Sequence, residues 1–161
     1  MQRSLTYQTF SKLVAYFFIL LIYEVLSSIY LFMPPLLGLA FLLFVYSVEK
    51  DRLDLLIFTL AYLLVFETDR EFVLFSTLFF FILAYHIGLT KLRQFIDCQK
   101  CLDYISIALA YLGFWFFSII FNQVIWIDLP QFDWTIFYYI AIECLVVFFL
   151  WESSLSSLYL Q

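Results

Sequence analysis

The chain has 161 residues, of which 66% are hydrophobic and 13% are charged, and its mean hydropathy is +1.01. Soluble domains carry about 25% charged residues, so this composition excludes a soluble globular protein and indicates an integral membrane protein. The net charge of −5 offers no basic surface, which argues against nucleic acid as a partner.

Six apolar segments predict an all-α membrane protein with six transmembrane helices in one domain spanning residues 1–161. The second and third segments hold only about 14 or 15 apolar residues, or roughly 21–23 Å of helix against a hydrocarbon core of about 30 Å. We expect both to span, shielded by longer neighbours or by a locally thinner bilayer. The six ranges are 13–33, 34–48, 53–66, 72–89, 102–127 and 134–151.

The basic residues fix the orientation of these segments. Seven of the eight fall on one side of the six-segment layout, and only Arg70 falls on the other. Cytoplasmic loops carry an excess of Lys and Arg, so both termini and the loop from Thr90 to Cys101 are predicted to be cytoplasmic in a multi-pass protein of the inner membrane. The seven are Arg3, Lys12, Lys50, Arg52, Lys91, Arg93 and Lys100.

Two acidic residues lie near the middle of predicted helices. Glu24 has Ser27 and Ser28 three and four positions further on, and Glu143 has Tyr139 four positions before it. A carboxyl group at the bilayer centre costs about 2.5–3.5 kcal/mol, so such residues normally face the interior of the bundle. They could be hydrogen-bonded struts between helices, contacts for a partner's polar residue, or a solute or proton site.

Other intramembrane features are weaker signals. His86 with Tyr85 forms a further polar position, but one His and two Glu on three helices is a pattern that chance supplies easily, so we predict neither a metal nor a cofactor. The fifth segment carries small residues along one face, which lets another helix pack closely against it. These small residues are Ser106, Ala110 and Gly113.

Cys98 and Cys101 form a CxxC pair in the most basic loop. Such pairs carry redox chemistry in some membrane enzymes, so a membrane thiol oxidoreductase is one alternative. The predicted cytoplasmic location instead favours ordinary reduced thiols, and Cys144 lies deep in the sixth segment. Phosphate loops, nucleophile elbows and HExxH motifs are absent from the sequence, so we expect a protein that is not an enzyme.

Residues 60–92 carry a family resemblance. The stretch LAYLLVFETDREFVLFSTLFFFILAYHIGLTKL, together with the six-helix layout and the short second and third helices, resembles MreD, a small membrane component of the bacterial cell-shape machinery. The resemblance implies a scaffold subunit in the bacterial inner membrane, with a fold similar to the substrate-binding subunits of energy-coupling-factor vitamin transporters. It also implies three kinds of partner: an MreC-like single-pass protein, a SEDS glycosyltransferase and a class B penicillin-binding protein.

Two functions fit this layout and differ in what occupies its centre. A scaffold would fill its interior with aromatic and Leu side chains and would bind lipid and partner helices on its outer faces. A substrate-binding subunit of a vitamin-type transporter would keep a cavity open to the side opposite the cytoplasm. The short acidic loops on that side, with Glu67, Asp69, Glu71, Asp128 and Asp133, favour the scaffold.

The orientation predicts a labelling pattern in a variant whose three native cysteines are replaced by Ser. A cysteine introduced at Asp128 should react with a membrane-impermeant thiol reagent added to intact cells, because that loop is predicted to face outward. A cysteine introduced at Arg93 should react only after the membrane is opened. The reverse pattern would overturn the topology.

Overall fold

A computed structural model describes residues 18–30, 32–70, 72–96, 98–125 and 134–150. Across these ranges the chain is helical, without a strand, which confirms the all-α expectation. The helices are α1 (Phe18–Ile29), α2 (Leu37–Glu49), α3 (Leu53–Asp69), α4 (Ser76–Leu83), a π-helical segment (Ala84–Leu89), α5 (Thr90–Phe95), α6 (Gln99–Ile125) and α7 (Thr135–Leu150).

The π segment joins α4 to α5 without a break, so the described chain contains six separate helices, as expected. The cytoplasmic loop expected from Thr90 to Cys101 is mostly helical, because α5 continues to Phe95 and α6 begins at Gln99. Of the residues that the structure describes there, Ile96 and Cys98 lie outside a helix. The predicted N-terminal arm and the loop around Asp128 lie outside the described residues.

The turns that precede α2 and α4 are unusual in the same way. Leu36 and Phe75 immediately precede these helices with φ of 50° and 67°, in the left-handed region that apolar L-residues rarely adopt. Neither residue has a side chain that can cap a helix. The first N–H groups of α2 and α4 therefore need partners from elsewhere in the protein.

Two side-chain contacts join helix ends that are distant in the sequence. The side chain of Arg93 in α5 forms an ion pair with Glu49 at the end of α2, among the basic residues predicted to be cytoplasmic. At the other end, Arg70 follows α3 and donates a hydrogen bond of 3.3 Å to Ser27 in α1. The first four helices are thus arranged as successive antiparallel hairpins.

Helix α2 is central, and it packs against α3, α6 and α7. Its Phe41 is fully buried against Phe81 of α4, with ring centroids 5.0 Å apart in an edge-to-face arrangement. Phe80 of α4 and Phe114 of α6 continue this aromatic layer with centroids 5.7 Å apart. Aromatic side chains therefore form a layer within the described core, beside buried aliphatic residues such as Leu63 and Ile107.

Large apolar side chains also cover the outside of the bundle. Ile22 of α1, Ile57 of α3, Phe79 of α4, Phe116 of α6 and Phe149 of α7 are each more than half exposed. Within the described ranges one helix, Lys100–Ile120, is both long and apolar enough to cross a membrane. Soluble proteins rarely expose this much apolar surface to water. Lipid tails are as apolar as these side chains and can surround them.

Close packing between α2, α6 and α7 depends on Gly38. A Cβ atom added there would lie 2.6 Å from Glu143 Oε2 and 2.7 Å from Ile107 Cγ2, and 3.2 Å from the Ile107 backbone. Gly88 in the π segment is less restricted, because an added Cβ would approach only the flexible end of the Leu109 side chain, at 2.9 Å.

Replacing Gly38 by Ala should therefore destabilise the protein by about 1–3 kcal/mol, because both neighbours would have to move. Gly88→Ala is the matched control and should cost much less, since the Leu109 side chain can rotate away. Thermal unfolding of both variants in mild detergent would measure the difference. Equal unfolding midpoints for the Gly38→Ala and Gly88→Ala variants would contradict the close packing of Gly38 against Glu143 and Ile107.

Candidate functional site

Five buried or half-buried polar side chains from four helices surround the turn formed by Pro34 and Pro35. We call this group the turn cluster, and it joins the two intramembrane carboxyl groups predicted from the sequence. Glu24 and Glu143 are both fully buried and are close enough to interact electrostatically. The members are Tyr23 and Glu24 from α1, Tyr62 from α3, Tyr111 from α6 and Glu143 from α7.

Two tyrosines bind the carbonyl groups of the proline turn. The Tyr23 hydroxyl donates to the Pro34 carbonyl oxygen at 2.9 Å, and the Tyr62 hydroxyl lies 2.5 Å from the Pro35 carbonyl oxygen. Both prolines are buried and outside a helix, so their carbonyl groups have no intrahelical partner. In a non-aqueous environment each unpaired carbonyl would cost several kcal/mol. The tyrosines therefore stabilise a turn that proline makes sharp.

Glu143 caps the N-terminus of α2 from another helix. Its Oε2 accepts a hydrogen bond of 2.9 Å from the Leu39 backbone N–H, and the Gly38 N–H also interacts with this carboxyl group. Its Oε1 accepts a hydrogen bond from the Tyr111 hydroxyl. A carboxylate is favoured at a helix N-terminus, where the backbone dipoles place positive partial charge. Glu143 thus supplies the cap that Leu36 cannot provide.

Glu24 is held differently, through Tyr62. The Tyr62 hydroxyl is 2.8 Å from Glu24 Oε2 while it also contacts the Pro35 carbonyl oxygen. A hydroxyl carries one proton, and a carbonyl oxygen can only accept. A protonated Glu24 satisfies both contacts, because it donates to Tyr62 while Tyr62 donates to Pro35. The other oxygen of Glu24, Oε1, has no hydrogen-bond partner among the described residues.

Glu67 caps α4 in the same way as Glu143 caps α2, although no sequence motif predicts this role. It was expected in an exposed acidic turn, yet it is buried near the end of α3. Its Oε2 accepts from the Phe75 N–H at 2.7 Å and its Oε1 from the Thr77 N–H at 2.6 Å. A sequence motif cannot reveal this cap, because Glu67 lies 8 and 10 positions before the N–H groups that it binds. A local capping motif spans only three positions.

Ser27 and Ser28 have different environments. Ser27 is buried, donates to the Glu24 backbone carbonyl at 3.0 Å and accepts from Arg70, so it borders the turn cluster. Ser28 is exposed and donates to the Val25 carbonyl at 2.9 Å. Arg70 also lies 6.0 Å from the centre of the Phe66 ring and interacts electrostatically with Glu24. Arg70 therefore places a positive charge at the border of the turn cluster.

Tyr139 and His86 do not join the hydrogen bonds described for the cluster. Tyr139 is half-buried and stacks at 6.4 Å from Tyr111, so it borders the cluster through ring packing. His86 is exposed in the π segment, with its ring 5.4 Å from that of Tyr85. Among the described residues no group of three or more His, Cys, Asp or Glu is arranged to hold a metal ion.

The small-residue face of α6 packs inside the bundle. Ser106 is 2% exposed and Ala110 is fully buried. A Cβ atom added at Gly113 would lie 2.8 Å from the Phe80 ring, which shows how closely α4 approaches there. The small-residue face of α6 therefore packs against other helices of the same chain.

Cys98 and Cys101 lie far from the turn cluster, at the start of α6. Both are exposed, and neither they nor Cys144 forms a disulfide.

The comparisons with known proteins found no match for this chain among protein-family models, curated proteins or solved structures.

The capping role of Glu143 predicts a graded response to substitution. Glu143→Leu should lower stability by roughly 2–5 kcal/mol, because at least two buried donors lose their acceptor and each costs about 1–3 kcal/mol. Glu143→Gln should cost less than about 1.5 kcal/mol, since its amide oxygen can still accept from Leu39.

Thermal unfolding in detergent would measure both variants against the unsubstituted protein. A similar loss in Glu143→Gln and Glu143→Leu would mean that the negative charge, rather than the hydrogen bond, stabilises α2. No loss in either variant would contradict the capping role.

Proposed function

We propose that this protein is a non-catalytic, multi-pass membrane subunit that binds other membrane proteins through its helices. The observation that carries the proposal is the contrast between its interior and its surface. Phe41 and Phe81 have no exposed area within a core of aromatic and aliphatic side chains, while large apolar side chains cover the outside.

Several features support a multi-pass arrangement beyond the one long helix. Residues 76–95 are continuously helical, and 20 helical residues rise about 30 Å, the thickness of a hydrocarbon core. The shorter helices α1, α3 and α7 each expose bulky apolar side chains, as lipid-facing helices do. The buried carboxyl groups of Glu67 on α3 and Glu143 on α7 each accept at least two hydrogen bonds inside the bundle, as a hydrocarbon environment requires.

The same layout supports an orientation with both termini in the cytoplasm. Glu49 and Arg93 pair at the end of the bundle that carries Lys50, Arg52 and Lys91. The turn cluster and Arg70 belong to the opposite end of the first four helices.

The polar groups of the turn cluster support a scaffold rather than a solute site. Tyr23, Tyr62 and Glu143 are each committed to a backbone group of the α1 to α2 connection. A solute would have to compete with these bonds, and losing one of them leaves a buried backbone group unpaired. The aromatic layer of α2, α4 and α6 occupies the space between the helices.

Partner binding in the bilayer would use the outer faces. Helices associate in lipid through close packing and interhelical hydrogen bonds, because lipid offers no hydrophobic drive between them. The resemblance to MreD supports a place in the bacterial cell-shape machinery, beside a single-pass MreC-like protein and the SEDS glycosyltransferase with its class B penicillin-binding protein.

Depleting the protein in a rod-shaped or spiral host should give rounded cells, and a photo-crosslinker at an exposed position should capture a single-pass membrane protein. Suitable positions are Ile22 on α1 and Phe116 on α6, which are 62% and 61% exposed. Ile107, which is fully buried, is the matched control and should capture no partner. Microscopy would measure cell shape, and mass spectrometry of the crosslinked band would identify the captured protein.

Normal cell shape on depletion, combined with failure to take up a particular nutrient, would overturn the scaffold and favour a transporter subunit. Equal capture from Ile22 and Ile107 would show that the crosslinks come from unfolded protein.

A further inference from the structure

The CxxC pair occupies the first turn of the longest helix. Cys98 immediately precedes α6, and its carbonyl accepts a hydrogen bond of 3.0 Å from the Leu102 N–H, so Cys98 is the N-cap residue. Its sulfur accepts a hydrogen bond from the Cys101 backbone N–H, with 3.4 Å between Sγ and N. The Cys98 thiol therefore occupies the place where a capping oxygen stands in other helices.

This position favours the anionic form of the Cys98 sulfur. The hydrogen bond from the Cys101 side chain, the bond from its backbone N–H and the nearby Lys100 charge lower the pKa of Cys98 below its ordinary value. The positive end of a 27-residue helix acts in the same direction. A thiolate is the nucleophilic form of cysteine, so Cys98 combines reactivity with exposure.

Cys101 is placed to react with whatever Cys98 binds. Residues three positions apart in a helical turn lie on the same face, and both of these side chains are exposed and in contact. Cys144 is half-buried on α7 and is not part of this pair. Among the described residues no third His, Cys, Asp or Glu joins the pair in a metal-binding arrangement.

The geometry points to a reactive dithiol site at which Cys98 attacks small disulfides of the glutathione type and Cys101 resolves the product. In the first step the Cys98 thiolate attacks one sulfur of glutathione disulfide, which forms a mixed disulfide and releases one glutathione thiolate. In the second step the Cys101 thiolate attacks the Cys98 sulfur, which forms the Cys98–Cys101 disulfide and releases a second glutathione. The pair loses two electrons and two protons, and the glutathione disulfide gains them.

The expected cytoplasmic location makes this site a sensor rather than a structural bridge. Disulfides on that side of the membrane are usually transient, because the glutathione pool keeps thiols reduced. The pair would stay reduced at rest and would oxidise when the ratio of glutathione disulfide to glutathione rises. This chemistry does not depend on the proposed scaffold function, since it needs only the first turn of α6.

The test uses the full-length protein in mild detergent, treated with glutathione disulfide and analysed by intact mass and peptide mapping. The unsubstituted protein should lose two hydrogens through a Cys98–Cys101 disulfide without retaining glutathione. Cys101→Ser should instead accumulate glutathione on Cys98, because the resolving thiol is gone. Cys98→Ser should react at least about tenfold more slowly, since the activated thiol is absent. Cys144→Ser is the matched control and should behave like the unsubstituted protein.

Alkylation of the unsubstituted protein with iodoacetamide near neutral pH gives a second measurement that needs no variant. Cys98 should be modified before Cys101. Equal alkylation rates at the two cysteines, or equal reaction of Cys98→Ser and Cys101→Ser with glutathione disulfide, would overturn the proposal. A disulfide that forms mainly with Cys144 would overturn it as well.

Discussion

The connection between α1 and α2 is the constraint on which the described fold depends. Two prolines and a left-handed Leu36 make this turn tight, and they leave its carbonyl groups and the first N–H groups of α2 without intrahelical partners. Tyr23 and Tyr62 bind the carbonyl groups, while Glu143 binds the N–H groups. Three helices, α1, α3 and α7, are thereby tied to the start of the central helix α2.

The same physical demand explains why buried carboxyl groups are present at all. Glu143 and Glu67 each replace a local capping residue at a helix whose own N-cap position holds Leu36 or Phe75. A carboxyl group in the interior costs free energy unless it is hydrogen-bonded, and each of these two accepts at least two hydrogen bonds. The polar residues inside this bundle therefore stabilise backbone turns.

A structural role at the turn cluster and a chemical role at the start of α6 are compatible because they lie at different places in the fold. The cluster is largely buried, and its tyrosines and Glu143 are already hydrogen-bonded, so it suits a rigid scaffold. Cys98 and Cys101 are exposed, and the sulfur of Cys98 is accessible to small molecules. The protein thus combines a fixed interior with a reactive site outside the apolar bundle.

The amino-acid sequence predicted the all-helical class, the six helices and the burial of Glu24 and Glu143, because apolar run lengths and the cost of a carboxyl group in hydrocarbon are local properties. It could not identify Glu67 as a cap, the turn as the target of Glu143, or Cys98 as an N-cap residue. It also joined His86 to the polar candidates and ended the fourth helix too early, since a π segment carries that helix on to Phe95. These features depend on contacts between helices that are distant in the sequence. Hydrogen bonds such as the one between Glu143 and Leu39 join residues 104 positions apart, and no local pattern specifies such a pair.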